Sequence, residues 1–276
     1  MNLFKRNTTF VTMDKFSDRV VWITGASSGI GKALAVELAR RGARIVLSSR
    51  KLDELNAVKK DLPRAESHFV LPLDLGSGSS FNAETEQVVM QFKRIDYLFN
   101  CGGISQRSAA AETQLEVDRK IMEVNYFGTI ALTKAVLPIM QKQRSGHIIA
   151  ISSIAGKFGF FLRSAYSASK HALHGFFESL YLEEEKKNIK VTIACPGKIN
   201  TNISLNALTG DGKAHDVMDH NQETGMSAEE CARQILKAVE KGKIEVLIGN
   251  KEIKAVTLKR FFPSLFWKVI RKQKAT

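Results

Sequence analysis

Short apolar runs alternate along the chain with amphipathic stretches, and the connections between them are mostly a few residues long. Seven apolar runs are predicted to be strands, at 20–24, 44–49, 68–73, 96–100, 147–152, 189–195 and 244–248. Helical periodicity predicts helices at 29–41, 52–61, 80–92, 114–141, 164–187 and 227–241. Because strands that alternate with helices form right-handed βαβ units, the pattern predicts a doubly wound α/β fold with a parallel sheet of about seven strands.

The same pattern predicts one domain with short extensions at both ends. A chain of 276 residues can bury one sizeable core. Residues 18–250 are expected to form the catalytic domain, with 1–17 as an N-terminal extension and 251–276 as a C-terminal one. The stretch 200–225 is polar, dotted with glycines and weakly periodic, so we expect a substrate lid there.

Composition favours an intracellular protein without a metal centre. Apolar residues make up 44% and charged residues 25%, which is ordinary for soluble globular proteins. Neither a secretory signal nor an apolar run of about 18 residues is apparent. Cys101, Cys195 and Cys231 are odd in number and lack metal-ligand spacing, which favours reduced thiols. The expected location is cytoplasmic or peripherally membrane-associated.

The net charge of +13 is concentrated near one end of the chain. From Asn250 to Thr276, eight basic side chains oppose only Glu252, a net of +7. A nucleic-acid interface would spread basic and aromatic residues across the domain, so no nucleic-acid partner is predicted. About half of the excess positive charge therefore belongs to the C-terminal extension.

Apolar and aromatic residues between 255 and 270 are flanked by these basic side chains. Pro263 is expected to split the stretch into two short helices. A basic, aromatic amphipathic helix is typical of a peripheral membrane contact. Packing of the same face against a partner subunit explains the pattern as well, and both interpretations stay open.

A glycine-rich turn follows the first strand and opens the first helix. Its sequence, TGASSGIG from Thr24 to Gly31, allows backbone amides to approach a pyrophosphate at a helix N-terminus. The predicted cofactor-binding residues of this turn are Gly25, Ser27, Ser28, Gly29, Ile30 and Gly31.

The second strand ends in Ser49 and Arg50, where enzymes that prefer NAD usually place an acidic side chain. An arginine can instead pair with the 2′-phosphate of the adenosine. The sequence therefore predicts NADP(H) as cofactor, with NAD(H) less favoured. Asp74 and Leu75, after the third strand, are expected near the adenine.

Tyr166 and Lys170 stand four residues apart and therefore share one helix face. A free phenol has a pKa near 10, and a nearby ammonium stabilises its phenolate. Ser153 follows a predicted strand and can hydrogen-bond a substrate carbonyl oxygen. Asn125 lies inside a predicted helix, where its propensity is poor, so it indicates a kink in a proton relay.

Taken together, TGASSGIG, NCGG from Asn100 to Gly103, Asn125, Ser153, YSASK and Pro196-Gly197 resemble the short-chain dehydrogenase/reductase family, over about residues 18–250. The resemblance implies a single-domain Rossmann fold and an oxidoreductase that acts on CH–OH groups. It also implies a catalytic tetrad, in which Tyr166 is general acid in reduction and base in oxidation. The tetrad consists of Asn125, Ser153, Tyr166 and Lys170.

The resemblance extends to the other residues expected around the cofactor. They are Asn100, Cys101, Gly102, Tyr166, Lys170, Pro196, Gly197, Ile199 and Thr201. NCGG departs from the usual NNAG of the family, which is expected to affect stability more than chemistry. Residues 163–173, 201–212 and 217–219 are more closely similar to the dehydrogenase/reductase member 7 branch (7B-like) and its bacterial relatives. That branch implies a lipophilic carbonyl substrate, and the family implies a homodimer or homotetramer.

The aromatic stretch before the tyrosine helix suggests an apolar cleft for a bulky substrate. The residues predicted to line it are Ser105, Ser153, Phe160, Arg163, Ile203 and Leu205. Packing under the lid is the competing interpretation for its phenylalanines. The predicted function is NADP(H)-dependent carbonyl–alcohol interconversion on a steroid, retinoid or similar small molecule. A 3-oxoacyl thioester reductase, or a cofactor-binding scaffold with little turnover, is the alternative.

Overall fold

Seven parallel strands form one sheet in a computed structural model that describes residues 14–273, apart from the side chain of Asn221. The spatial order is β3-β2-β1-β4-β5-β6-β7. The strands are β1 Val20–Thr24, β2 Arg44–Ser48, β3 Phe69–Val70, β4 Tyr97–Asn100, β5 Gly146–Ile151, β6 Ile189–Pro196 and β7 Glu245–Ile248. The predicted parallel sheet of seven strands is confirmed. Of the predicted extensions, residues 1–13 and 274–276 lie outside the described residues.

Helices cover both faces of the sheet. They are α1 Gly29–Arg40, α2 Leu52–Asp61, α3 Asn82–Phe92, α4 Leu115–Met122, α5 Gly128–Gln143, α6 Ser164–Glu184, α7 His220–Glu223, α8 Ala228–Glu240, α9 Lys254–Phe261 and α10 Pro263–Ile270. Since successive strand residues point to opposite faces, Val21 and Ile23 join the core under α1 and α8. Val20 and Trp22 join the core under α5 and α6. The doubly wound α/β prediction is therefore confirmed.

The third strand is shorter than predicted, covering two residues rather than 68–73. The buried His68 side chain accepts the Ile45 N–H through Nδ1 at 3.1 Å, so a side chain takes the place of a strand partner there. Beyond the strand, the Leu71 N–H still donates to Leu47 O at 3.0 Å. The chain therefore runs beside β2 without regular strand geometry.

The long helix predicted over 114–141 is interrupted at Asn125. A π-helical turn, Glu123–Phe127, joins α4 to α5 and places the buried Asn125 at its centre. Such turns are rare and often mark functional sites. Just after this turn, position 128 requires glycine because the backbone lies close to Leu75. A Cβ there would be 2.0 Å from Leu75 O.

The C-terminal part follows the predicted helical pattern. Ser227 caps α8 by accepting the Glu230 N–H at 3.1 Å. Pro263 separates α9 from α10, as predicted. The predicted lid, 200–225, contains the short α7, turns and isolated β-bridges at Leu208 and Ala214. Within residues 14–273, helices with the length and apolar character to span a bilayer are absent.

The buried His147 on β5 makes the stability of the fold sensitive to acid. Its Nε2 lies 2.8 Å from Thr192 Oγ1, and burial lowers its pKa to about 3. Because the unfolded chain binds a proton near pH 6.5 and the folded chain does not, stability falls as the pH drops below 6.5. From pH 7 to pH 5 the loss from this histidine should be about 2 kcal/mol.

Urea unfolding at pH 7 and pH 5 measures this loss in free energy. His147→Gln, whose amide can still bond to Thr192, should lose about 2 kcal/mol less than the unsubstituted protein between the two pH values. An equal loss in both proteins would contradict the burial of a neutral imidazole at this position.

Candidate active site

A cleft of about 1380 Å³ opens along the carboxyl ends of the strands. The turns after β1, β2, β4, β5 and β6 contribute to its lining, together with the lid and the C-terminal helices. Ligands of open parallel sheets bind at this edge, where the strand order reverses. Here β1 lies between β2 and β4, so the reversal falls at the glycine-rich turn.

The glycine-rich turn has the backbone shape that a phosphate site needs. Gly25 and Gly29 have positive φ angles of 65° and 51°. A Cβ on Gly31 would lie 2.3 Å from Gly25 O, so the helix begins in close contact with the turn. The first turn of α1, all of it described, carries no acidic side chain. Its amides therefore face the cleft at a position suited to an anion.

All six predicted residues of this turn line the cleft, and the predicted residues after β2 and β3 join them. These are Gly25, Ser27, Ser28, Gly29, Ile30, Gly31, Ser49, Arg50, Asp74 and Leu75. The Ser48 hydroxyl is turned away, since it accepts the Trp22 indole N–H at 2.9 Å. The exposed Arg50 places a positive charge at the rim of the cleft. Enzymes that prefer NAD usually carry an acidic side chain at this position.

Tyr166 enters the cleft from α6. Its phenol is buried, and burial raises its pKa, against the opposing effects of a hydrogen bond with Ser153 and the charges of Arg107 and Arg163. The Ser153 hydroxyl donates to Pro196 O at 3.3 Å and accepts the Ala155 N–H at 3.1 Å. The phenol therefore carries its proton at neutral pH, beside a fixed hydroxyl.

Lys170 lies one helical turn after Tyr166 and is buried beneath it. Its Nζ donates to Ile151 O at 2.9 Å and lies 5.7 Å from the centroid of the Tyr166 ring. Burial lowers the pKa of Lys170 to about 8. The side chain is therefore an ammonium at neutral pH, with a proton that is held less firmly than that of an exposed lysine.

Asn125 holds the turn after β4 in place. Its Oδ1 accepts the Ile104 N–H at 2.8 Å, and its Nδ2 donates to Ile104 O at 2.9 Å and to Ser169 Oγ at 3.0 Å. The amide thus links the π-helical turn to α6 and to the strand end that faces the cleft.

Three predicted site residues do not line the cleft among the described residues: Asn100, Asn125 and Leu205. Asn125 lies behind Ile104. Asn100 is buried below the cleft and donates to Thr133 Oγ1 at 3.1 Å. The other predicted residues do line it, and they are Cys101, Gly102, Ser105, Ser153, Phe160, Arg163, Tyr166, Lys170, Pro196, Gly197, Ile199, Thr201 and Ile203.

The NCGG segment is tied to the first strand. The Thr24 hydroxyl accepts the amides of Cys101 at 3.1 Å and Gly102 at 3.0 Å. A Cβ on Gly102 would lie 2.5 Å from Leu75 Cδ1, so the glycine leaves room for that leucine. Gly102, which stands where the family's NNAG has alanine, therefore fits the close packing of Leu75 at the floor of the cleft.

A buried ion cluster on the substrate side was missed by sequence reasoning. Arg107 Nε donates to Asp219 Oδ2 at 2.8 Å, and Arg163 Nη2 donates to the same oxygen at 2.9 Å. The cluster joins the lid to the loop after β4 and to the start of α6. Arg163 and Asp219 lie in segments that resemble the member 7 branch, but neither that resemblance nor any periodicity indicated that they pair with Arg107.

The contribution of the C-terminal helices to the cleft is the second feature that sequence reasoning missed. Phe266 is buried against Phe158, with ring centroids 5.2 Å apart. Seven residues of α9, α10 and the position between them line the cleft: Lys254, Ala255, Thr257, Leu258, Phe262, Val269 and Ile270. The segment predicted to be an appendage of the domain is therefore a wall of the candidate site.

Outside the cleft, three potential metal ligands lie together. One ligand atom each from His174, Cys195 and Glu245 falls within 4.8 Å of the others. The ammonium of Lys157 lies 3.1 Å from His174 Nδ1 and also bonds to Glu245. Burial raises the pKa of Cys195 to about 12, so its thiol keeps its proton. A lysine cation thus already occupies the position that a metal would take.

Comparisons with known proteins agree with this geometry. The short chain dehydrogenase family model matches residues 19–211. A Drosophila melanogaster dehydrogenase/reductase SDR family protein 7-like is 42% identical over 99% of this chain and 86% of its own length. Mouse dehydrogenase/reductase SDR family member 7B is 42% identical over 91% of this chain and 80% of its own length.

Solved structures share the fold. A short chain dehydrogenase/reductase from Burkholderia phymatum, in complex with NAD, superimposes with a TM-score of 0.80 at 22% identity, over 95% of this chain and 97% of its own. The resemblance to the family and to its member 7 branch is therefore confirmed.

The buried ammonium of Lys170 should cost stability. Since its folded pKa of about 8 lies below the unfolded value near 10.4, the charge is disfavoured in the folded chain at every pH below 8. We expect Lys170→Met to raise the free energy of unfolding at pH 7, by as much as about 3 kcal/mol. The gain should shrink as the pH rises from 8 towards 10.4.

Urea unfolding of the variant and the unsubstituted protein at pH 7 and pH 10 measures this effect. Lys142→Met, at an exposed position on α5, is the control and should change stability by less than about 0.5 kcal/mol. A destabilised Lys170→Met protein at pH 7 would show that the ammonium is better solvated than its burial implies.

Proposed function

The chain belongs to the short-chain dehydrogenase/reductase family, oxidoreductases that act on CH–OH donors, and we propose that it interconverts a carbonyl and an alcohol with NADP(H). One observation carries the proposal. Tyr166, Ser153 and Lys170 meet the glycine-rich turn in a single cleft. Residues 18–250 form the catalytic domain in this proposal, and the lid and C-terminal helices complete its substrate side.

The cleft fits a dinucleotide. The positive φ of Gly25 and the open first turn of α1 provide amides for a pyrophosphate. In this proposal Asp74 lies near the adenine, and Pro196, Gly197 and Thr201 flank the nicotinamide end. When bound, the nicotinamide supplies the hydride for reduction or accepts it in oxidation.

Tyr166 is the proposed general acid and base. Because burial raises its pKa, the phenol is protonated at neutral pH and can donate that proton to a carbonyl oxygen. In the reverse direction its oxygen accepts the alcohol proton. The Ser153 hydroxyl donates its proton to the same substrate oxygen in place of its bond to Pro196 O, while the Ala155 N–H still holds the hydroxyl oxygen.

Lys170 and Asn125 are the proposed support of this proton transfer. The Lys170 ammonium stabilises the phenolate that remains after Tyr166 gives up its proton. Its lowered pKa also suits it to exchange a proton near neutral pH. Asn125 acts through Ile104, whose backbone it fixes beside the lysine, so it is a positioning residue of the relay.

A lipophilic substrate is supported by the wall opposite the glycine-rich turn. Its side chains include Phe158, Phe160 and Ile203, with Leu258 and Ile270 from the C-terminal helices. A steroid, a retinoid or a molecule of similar character matches such a wall. We propose that the protein forms a homodimer or homotetramer, as members of the family commonly do. Peripheral contact with a membrane through the C-terminal segment is also part of the proposal.

Tyr166→Phe is expected to lower the turnover number for NADPH-dependent carbonyl reduction by about 10²–10⁴-fold, the usual contribution of a general acid. NADPH should still bind, since the phenyl ring fills the same space. NADPH oxidation over steroids, retinal, quinones, aldehydes and 3-oxoacyl thioesters measures turnover, and fluorescence titration measures binding.

Tyr181→Phe is the matched control, because this tyrosine lies on the same helix and bonds only to Glu185 at the surface among its described partners. Its turnover should be unchanged. Undiminished turnover of Tyr166→Phe would rule out Tyr166 as the acid. If the unsubstituted protein reduces none of the carbonyls, the scaffold alternative is favoured.

Arg50→Ala is expected to weaken NADPH binding by about 10–100-fold, as for loss of a charge-assisted hydrogen bond to phosphate. NADH binding should change little, because NADH has no 2′-phosphate. Parallel titrations with NADPH and NADH measure the ratio of their dissociation constants. Lys60→Ala, at an exposed position on α2, is the control. Tighter binding of NADH than NADPH by the unsubstituted protein would contradict the assignment of NADP(H).

A further inference from the structure

The helices α9 and α10 form a pair, here called the C-terminal hairpin (Lys254–Ile270), whose inner face belongs to the cleft. Phe266 anchors this face against Phe158. Lys259 Nζ adds a bond to Lys157 O at 2.9 Å. The hairpin is therefore held in a defined position over the substrate side.

The outer face of the hairpin is apolar and exposed. Phe261 is 65% exposed, Leu265 50% and Trp267 47%, and none of the three lines the cleft. Large apolar side chains that are exposed together on one element, rather than singly, indicate an interaction surface. Phe262 and Val269 are exposed as well, yet both line the cleft. The patch therefore continues into the cleft mouth.

The charge of the same surface is of one sign. From Ile253 to the end of the sequence there is no acidic residue. The exposed basic side chains among the described residues of this stretch are Lys254, Arg260, Lys268, Arg271 and Lys272. Both helices thus carry an exposed basic side chain next to an exposed aromatic one, Arg260 beside Phe261 in α9 and Lys268 beside Trp267 in α10.

This combination disfavours a second copy of the chain as the occupant. A twofold contact places the same patch of two subunits face to face, so these cations would oppose one another. Interface cores are also depleted of charged residues. An anionic bilayer presents the opposite charge and accepts aromatic side chains at its headgroup level, which matches both features.

We propose that the outer face of the C-terminal hairpin docks on an anionic phospholipid bilayer and that lipophilic substrate passes directly from the bilayer into the cleft. The docking deepens the membrane contact of the proposed function and is independent of its carbonyl chemistry, whereas the delivery of a carbonyl rests on that chemistry. Phe262 and Val269 give the route its continuity, because they are shared by the exposed patch and the cleft wall. An apolar molecule on this route avoids transfer through water.

The two tryptophans of the chain provide a direct test of docking. Trp22 is fully buried in the sheet, whereas Trp267 lies on the outer face. Vesicles of phosphatidylcholine and phosphatidylglycerol (7:3) that contain dibrominated phosphatidylcholine should quench the Trp267 fluorescence and leave Trp22 bright. Vesicles of phosphatidylcholine alone, or 1 M salt, should reduce the quenching because the attraction is screened or absent. Trp267→Phe should abolish it.

Charge and apolar variants separate the two parts of the docking surface. Each basic side chain near an anionic surface contributes about fivefold to binding, so Arg260→Gln with Lys268→Gln should weaken vesicle co-sedimentation about 25-fold. Phe261→Ser with Leu265→Ser should also weaken vesicle co-sedimentation, and at high salt, where the electrostatic attraction is screened, this effect should remain. Met90→Ser with Lys60→Gln, exposed residues of α3 and α2, is the matched control and should bind normally.

Absence of Trp267 quenching, or a basic pair whose loss leaves binding unchanged, would overturn the docking. So would dissociation of an oligomer by Phe261→Ser with Leu265→Ser, since the patch would then be a subunit contact. Sedimentation velocity on the same variants detects this.

Delivery is tested by comparing two carbonyls. NADPH oxidation with retinal carried in the anionic vesicles should fall in parallel with vesicle binding of the Phe261→Ser, Leu265→Ser variant. Oxidation with water-soluble 4-nitrobenzaldehyde should stay unchanged. Equal rates with vesicle-borne retinal in both proteins would overturn delivery. If neither carbonyl reacts while Trp267 is still quenched, the proposed carbonyl chemistry fails and the docking stands.

Discussion

Parallel pairing of every strand is the constraint on which the site depends. Because all seven strands run the same way, their carboxyl ends open on one edge of the sheet. Residues that are distant in sequence but follow a strand end are therefore brought together there. Such residues are Gly25 after β1, Arg50 after β2, Gly102 after β4, Ser153 after β5 and Gly197 after β6. Tyr166 and Lys170 join them from the helix that packs beside β6.

Periodicity in the sequence predicted the elements well where the core decided them. Buried strands such as β1 show continuous apolar runs, and α8 has both its cap and its apolar face in the sequence. The third strand was overpredicted, because the His68 side chain replaces a backbone partner in a way that no periodic pattern shows. For most of the cleft, the motifs were enough to place the residues.

The parts that could not be predicted depend on tertiary contacts between aperiodic segments. Arg107 and Asp219 are 112 residues apart, and only the folded lid shows that they form an ion pair. The position of the C-terminal hairpin rests on Phe266 meeting Phe158, a contact with no local signature. Asn125 was rightly expected to interrupt its helix, but its hold on Ile104 became clear only from the geometry.

The hairpin wall has an evolutionary consequence. The family model ends at residue 211, whereas the hairpin begins at Lys254. The residues proposed for cofactor and proton transfer all lie in the matched part, whereas one part of the proposed substrate side, the C-terminal hairpin, lies beyond it. Changes in this short C-terminal stretch can therefore alter which substrates the enzyme accepts. They can also alter whether those substrates arrive from water or from a lipid bilayer. The hydride chemistry would be inherited intact while the substrate range diversifies.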